Sequence, residues 1–177
     1  MSPSAVMPLA KNTPLRAVKE MGRECGMCGH CCGYGAGMLV EGDVPKIARY
    51  LGISEEKLKE RYLDEVEMFN TKTWRPKVLK GKKPYGPCIF YDRKAGCSIH
   101  LVKPLQCLIT NCNPHAEQAI QWLYLNYFVN TSDPESIRQW ASYLNHKEWV
   151  IEGGNLKELV PDANRLKKIL SYGDLKK

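Results

Sequence analysis

Four cysteines fall within eight residues, Cys25-Gly26-Met27-Cys28-Gly29-His30-Cys31-Cys32, and the other four, Cys88, Cys97, Cys107 and Cys112, within a second window of 25 residues. Cysteine thiolates bind soft or borderline metals, chiefly zinc and iron–sulfur clusters. A structural zinc site commonly takes two Cys-x2–4-Cys pairs. The first window instead spaces Cys25, Cys28 and Cys31 by two residues each, like the first three ligands of the bacterial ferredoxin run. The fourth ferredoxin cysteine is missing, so one of Cys88, Cys97, Cys107 or Cys112 must take its place. Neighbouring residues seldom aim at one atom, which leaves Cys32 either facing a second metal or standing as a free thiol. Eight cysteines suffice for two four-cysteine centres, or for one centre with spares.

An even cysteine count also invites disulfides. Adjacent Cys31 and Cys32 cannot bridge without strain. The stretch Met1–Val18 lacks the apolar segment of an export signal, so a reducing, cytoplasmic setting is expected, where clustered thiols more often bind metal. The expectation is one or two iron–sulfur clusters of the 4Fe-4S type, with zinc as the alternative, on Cys25, Cys28, Cys31, Cys32, Cys88, Cys97, Cys107 and Cys112. His30 is a ligand, a donor to one, or a solvent-facing ring; His100 and His115 flank the second window; His146 reads as surface. The string Gly33-Tyr34-Gly35-Ala36-Gly37 either admits close backbone approach to a cofactor or simply turns. A nucleotide loop is disfavoured, because no strand precedes it and no long helix follows.

These residues need elements to hold them. At 177 residues, 44% hydrophobic and 25% charged, the chain has the composition of one globular domain. Proline at positions 3, 8 and 14 predicts a flexible N-terminus over residues 1–20. Residues 21–177 are expected to form a single domain, with a cysteine-bearing part over 22–114 and C-terminal helices over 115–177. The fold class is mainly α, with a short β-hairpin and irregular cysteine-rich loops. Met38–Glu41 reads as a short strand, and Asp43 as the cap of a helix over 44–51 closed by Gly52. Ser54 caps a second helix running to about Val66. Residues 67–87 read as loop and short strand, Cys88–Tyr91 and Cys97–His100 as a hairpin around the turn Asp92–Gly96. Asn113-Pro114 opens a helix to about Phe128, with Ile120, Leu123, Tyr124, Tyr127 and Phe128 on its apolar face. Asp133-Pro134 opens another to about Asn145, and the last, over 155–171, bends or restarts at Pro161.

Lys72, Arg75, Lys77, Lys80, Lys82 and Lys83 with Trp74 form a stretch with no acidic residue from 68 to 83. It is either a solvated basic hairpin or an anionic contact surface, so Lys72–Lys83 is the candidate for nucleic acid. The net charge of +7 permits an acidic partner without establishing one. A protein partner or complex is expected, and no membrane, since no apolar run approaches the roughly 18–20 residues of a spanning helix.

The run Cys25-x2-Cys28-x2-Cys31-Cys32 resembles the signature of the Cys-x2-Cys-x2-Cys-Cys family, cysteine-cluster proteins that chelate zinc or iron. Pro87-Cys88-Ile89-Phe90, Cys97-Ser98-Ile99-His100, Lys103-Pro104-Leu105-Gln106-Cys107 and Ala48-Arg49-Tyr50-Leu51-Gly52-Ile53-Ser54 are similar to the neighbours the family shows in this order. Lys103 stands where arginine is common, Cys112 is additional, and the C-terminal helices are this chain's own. The resemblance implies a metal-binding domain. Its best-described relatives are flagellin lysine N-methylases, so one reading is a protein lysine methylase that uses S-adenosylmethionine. The sequence holds no triad, phosphate loop or metallohydrolase motif. The favoured reading is an iron–sulfur accessory or electron-transfer protein, and a third is a zinc-stabilised nucleic-acid-binding module. Whether the chain is an enzyme is left open.

Overall fold

A computed structural model describes residues 8–22, 25–83, 85–112 and 114–173. The chain is mainly helical, with short hairpins and irregular cysteine-rich loops. In chain order the elements are α1 (Leu15–Met21), α2 (Asp43–Leu51), α3 (Glu55–Tyr62), β1 (Leu63–Met68), β2 (Thr71–Pro76), β3 (Tyr91–Asp92), β4 (Gly96–Cys97), a 3₁₀ turn (His100–Val102), α4 (Leu105–Ile109), α5 (Ala116–Tyr127), α6 (Pro134–Leu144), α7 (Leu156–Leu159) and α8 (Ala163–Leu170). They fall into two compact units. One gathers Met1–Val18, Glu67–Thr71 and Pro114–Lys177 over their described residues, and the other Lys19–Val66 and Lys72–Asn113.

The second unit carries both cysteine windows. Its core is Leu39, Ile47, Ala48, Leu58, Leu63, Cys88, Phe90 and Ile99, with Tyr62 and Trp74 packed against it. Ser54 caps α3 as expected, accepting from the Lys57 amide at 3.2 Å. Gly52 ends α2 in the left-handed conformation at φ 65°. Asp43 is not the expected cap: Gly42 takes that position, and Asp43 is the first residue of α2. Its buried carboxylate accepts from the amides of Val40 at 3.1 Å and Leu105 at 3.0 Å and pairs with Lys46 Nζ at 2.7 Å. It thereby ties the start of α2 to the start of α4, which carries Cys107.

Several expected elements differ. α3 stops at Tyr62 rather than Val66, because Leu63, Val66 and their neighbours enter strand β1, which pairs with β2. From Asp64 to Met68 half-buried and exposed residues alternate with the strand's period of two, which overrides the helical spacing of Leu58, Tyr62 and Leu63. Residues 38–41 form no strand; Leu39 is instead held by the Trp74 carbonyl at 2.8 Å and the Thr73 hydroxyl at 2.6 Å. The cysteine hairpin is shorter than expected, with only Tyr91–Cys97 and Asp92–Gly96 paired. The Asp92 carboxylate closes its turn by accepting from the Lys94 and Ala95 amides, both at 2.7 Å.

The other unit is built on α5 and α6. Asp133 caps α6 through the Glu135 amide at 3.0 Å, and Pro134 occupies its first position. Within α5 the most deeply buried side chains are Ala119, Gln121, Trp122, Leu123 and Leu125 rather than the expected Ile120, Tyr124 and Tyr127, while Phe128 just beyond its end is also buried. Gln121 tolerates burial because it accepts from the Ile151 amide at 3.0 Å and donates to the Trp149 carbonyl at 3.3 Å. The last helix does restart at Pro161: α8 follows α7 after the Asp162 cap. Against expectation, prolines at positions 8 and 14 do not keep the described part of residues 1–20 free of helix, since α1 begins at Leu15. Pro14 precedes α1 and suits the first turn of a helix, and Leu9 and Val18 are buried. The remainder of that expectation, over residues 1–7, lies outside the described residues.

Phe69 and Asn70 both take positive φ, 51° and 60°, which makes a two-residue turn of the kind that matches strand twist. For a bulky residue this conformation is strained by about 1–2 kcal/mol. Burial offsets that cost. The Phe69 ring lies edge-on to Tyr124 at 5.2 Å, Trp140 at 5.4 Å and Tyr143 at 6.0 Å. Asn70 donates to the Asp133 carboxylate at 2.7 Å. Phe69→Ala should therefore lower stability by about 3–5 kcal/mol in urea denaturation. A loss below about 1 kcal/mol would mean the aromatic cluster does not hold the turn.

Candidate metal centre

All eight cysteines line one cavity of about 370 Å³. Their accessibility is graded: Cys88 is buried, Cys25, Cys32, Cys97 and Cys107 are half-buried, and Cys28, Cys31 and Cys112 face solvent. Among the described residues, no three Cys, His, Asp or Glu side chains are arranged to hold a single ion. The thiols ring the space instead.

The first window reaches the cavity through a coiled loop. Met27 and Gly29 both have positive φ, 51° and 76°. A side chain at position 29 would collide with the Tyr91 hydroxyl, so glycine is required there twice over. Gly33 donates to the Gly29 carbonyl at 2.7 Å and closes the coil. The second window is tied in by one main-chain bond, from the Cys88 amide to the Cys32 carbonyl at 2.8 Å. An isolated bridge between Val78 and Cys88 extends the same contact outward.

Besides Cys31, which accepts from its own amide and that of Cys32, three thiols among the described residues accept backbone hydrogen bonds. Cys88 accepts from the amide of Phe90, Cys97 from that of Ile99, and Cys107 from that of Gly37. In the first two the donor lies two residues on and its side chain is buried, Phe90 at 5% and Ile99 at 1% exposure. The Cys-x-Phe and Cys-x-Ile patterns thus have a mechanical meaning: the buried apolar residue anchors the turn and aims its amide at the sulfur. Such bonds favour the thiolate. Burial works against them and wins in each case, pushing Cys88 up to about 11, Cys107 up to about 12, and Cys97 upward as well.

Cys31 and Cys32 do point the same way, with sulfurs 3.9 Å apart. Cys31 is lowered to about 6, chiefly by its hydrogen bond with Cys32, whose own thiol is held protonated by that bond. The pair therefore shares one proton more readily than it loses two. At the outer edge, Cys112 is raised first by the nearby charge of Cys28, and its thiol bonds to it. Cys31 and Cys32 stand together, and all eight expected ligands share the wall of one cavity.

His100 lines the cavity beside Lys103, with Nε2 and Nζ 3.4 Å apart, and both burial and the Lys103 charge lower its pKa. His30 is exposed and lies edge-on to Tyr34 at 5.8 Å. His115 does not line the cavity, and His146 is exposed as expected, against the Ser142 carbonyl. Spacing alone missed Gln106 and Lys103 as wall residues. The Gln106 amide oxygen accepts from the Met38 amide at 2.6 Å. It therefore fastens the glycine string to α4, and its place beside Cys107 was the only available signal.

A domain whose soft thiol donors converge on a single cavity, braced by amide-to-sulfur bonds, is a metal-chelating domain. The chain belongs to the CxxCxxCC family, described as "Putative zinc- or iron-chelating domain", whose profile matches residues 24–126, more than half of its length. No curated protein and no solved structure matches it significantly.

A Cβ added at Gly37 would lie 2.6 Å from the Cys107 sulfur and 3.3 Å from the Cys107 amide nitrogen. Gly37→Ala should therefore displace Cys107 and lose most of the bound metal, as read by elemental analysis. Metal content equal to wild type would remove Gly37 from the wall. A second expectation concerns pH. Cys88 and Cys107 are raised in the folded, metal-free chain, so folding favours their neutral form. Their contribution is fully present below the ordinary thiol value of 9.0 and is lost as pH rises through about 11 to 12. The urea midpoint of the metal-free protein should fall across that window, and Cys107→Ser should flatten the fall. An unchanged slope in that variant would mean Cys107 is not held neutral.

Proposed function

We propose that the cavity holds an iron–sulfur cluster and that the protein is an accessory or electron-transfer protein. The observation that carries this reading is the number of thiols around one space. A single tetrahedral zinc, at about 2.3 Å from each sulfur, needs four donors and draws them to within about 4 Å of one another. Eight thiols around about 370 Å³ supply more donors and more room than one ion uses. Thiolate-rich sites with amide donors to sulfur suit iron–sulfur clusters, whose potential those hydrogen bonds tune. A cluster would be held by four of the eight thiols, with Lys103 and His100 beside them, and would supply one-electron chemistry. Zinc has one observation in its favour. The separation of 3.9 Å between Cys31 and Cys32 sulfurs suits two ligands of one tetrahedral ion.

Protein purified without oxygen should contain iron and acid-labile sulfide in equal amounts. It should also show broad visible absorption that bleaches on reduction, with a paramagnetic resonance signal in one oxidation state. Colourless protein with stoichiometric zinc and no iron would overturn the cluster and leave the zinc reading.

A further inference from the structure

The basic stretch 72–83 is not one surface. Lys72 pairs with Glu65 at 3.1 Å, Lys77 Nζ donates to the Glu60 carbonyl at 2.6 Å, and Trp74 packs on the core with Lys59 over its ring at 5.7 Å. Lys72 is exposed but paired, and the other lysines of the stretch that face solvent are Lys80, Lys82 and Lys83, on a tight turn closed by the Lys83 amide to the Lys80 carbonyl at 2.9 Å. That turn is anchored by the Leu79 amide to the Pro87 carbonyl at 2.8 Å and by the Val78–Cys88 bridge. Next to it stands a row of aromatic rings that the sequence did not suggest. His30, Tyr34 and Tyr85 follow one another at centroid separations of 5.8 and 5.9 Å. Tyr34 is 62% and Tyr85 45% exposed, and Lys83 Nζ lies 5.5 Å from the Tyr85 centroid. Tyr34 also lines the cysteine cavity, so the row meets the cavity's rim at that ring.

We propose that this row and the lysine turn bind a single-stranded nucleic acid, with bases on Tyr34 and Tyr85 and phosphates on Lys80, Lys82 and Lys83. Two features favour that partner over an acidic protein. The two exposed tyrosines, Tyr34 and Tyr85, offer faces to bases, and every base has a face to stack whatever its sequence. Lys83 Nζ sits over the Tyr85 ring, so the lysine turn adjoins the rings and can meet the phosphates of a strand whose bases stack there. Single strands, unlike duplexes, present those bases unpaired. Binding at this rim does not depend on whether the cavity holds iron or zinc.

The test uses the metal-loaded protein, with metal content measured in every sample, and fluorescently labelled oligothymidylate, oligouridylate and a duplex of equal length. Single strands should bind more tightly than the duplex. Three phosphate contacts predict an affinity about 20-fold weaker at 200 mM than at 50 mM salt. Tyr85→Ala lies outside both cysteine windows and should weaken binding about 10-fold with metal content and salt slope unchanged. Tyr34→Ala should do the same where its metal content is retained. Lys80, Lys82 and Lys83 changed together to Gln should flatten the salt dependence. Absence of binding at 50 mM salt, wild-type affinity in metal-replete Tyr85→Ala, or displacement of the strand by polyglutamate at equal charge would each overturn the proposal, the last in favour of an acidic protein.

Discussion

The hydrogen bond from the Cys88 amide to the Cys32 carbonyl, 2.8 Å long, is the contact on which the metal centre depends. It joins the two cysteine windows at the point where each turns inward. Everything nearby reinforces that junction. Asp43 secures Leu105, Gln106 secures Met38, and the absent side chain of Gly37 leaves room for the Cys107 sulfur. Each is a main-chain amide satisfied by a buried acceptor, or a space kept free. The geometry of the thiols is thus set by backbone placement more than by the cysteine side chains themselves.

That arrangement has an energetic logic. Gathering thiols in a half-buried space disfavours their ionised forms, and the raised Cys88, Cys97 and Cys107 record it. A metal reverses the balance, because it binds thiolates and releases their protons. The amide-to-sulfur bonds from Phe90, Ile99 and Gly37 already lean towards the metal-bound form. The apolar core of this unit contributes to the same end, since burying Phe90 and Ile99 is what aims two of those amides.

The cysteine windows, the helix caps at Ser54 and Asp133, the turn Asp92–Gly96 and the restart at Pro161 were legible because each is a local rule written in a few consecutive residues. The hairpin of Leu63–Met68 and Thr71–Pro76 was not. Leu58, Tyr62, Leu63 and Val66 fit a helical stripe, and only pairing with a later segment makes the last two strand residues. Phe69 in a positive-φ turn was equally hidden, because a bulky residue is a poor local choice there and is stabilised by rings far along the chain. Trp74 read as an exposed aromatic among lysines, whereas the core claims it.

Residue type and spacing alone pointed to a zinc- or iron-chelating domain, since thiols clustered at that density are typical of metal sites. They did not determine which thiols stand together. Spacing grouped Cys25, Cys28 and Cys31; tertiary structure brings all eight thiols to one cavity and sets the Cys31 and Cys32 sulfurs 3.9 Å apart. The physical reason is that a ligand set is a matter of distance in space. The turn at Met27 and Gly29, the Cys88–Cys32 bond and the closeness of Gly37 to Cys107 fix those distances through contacts between residues remote in sequence.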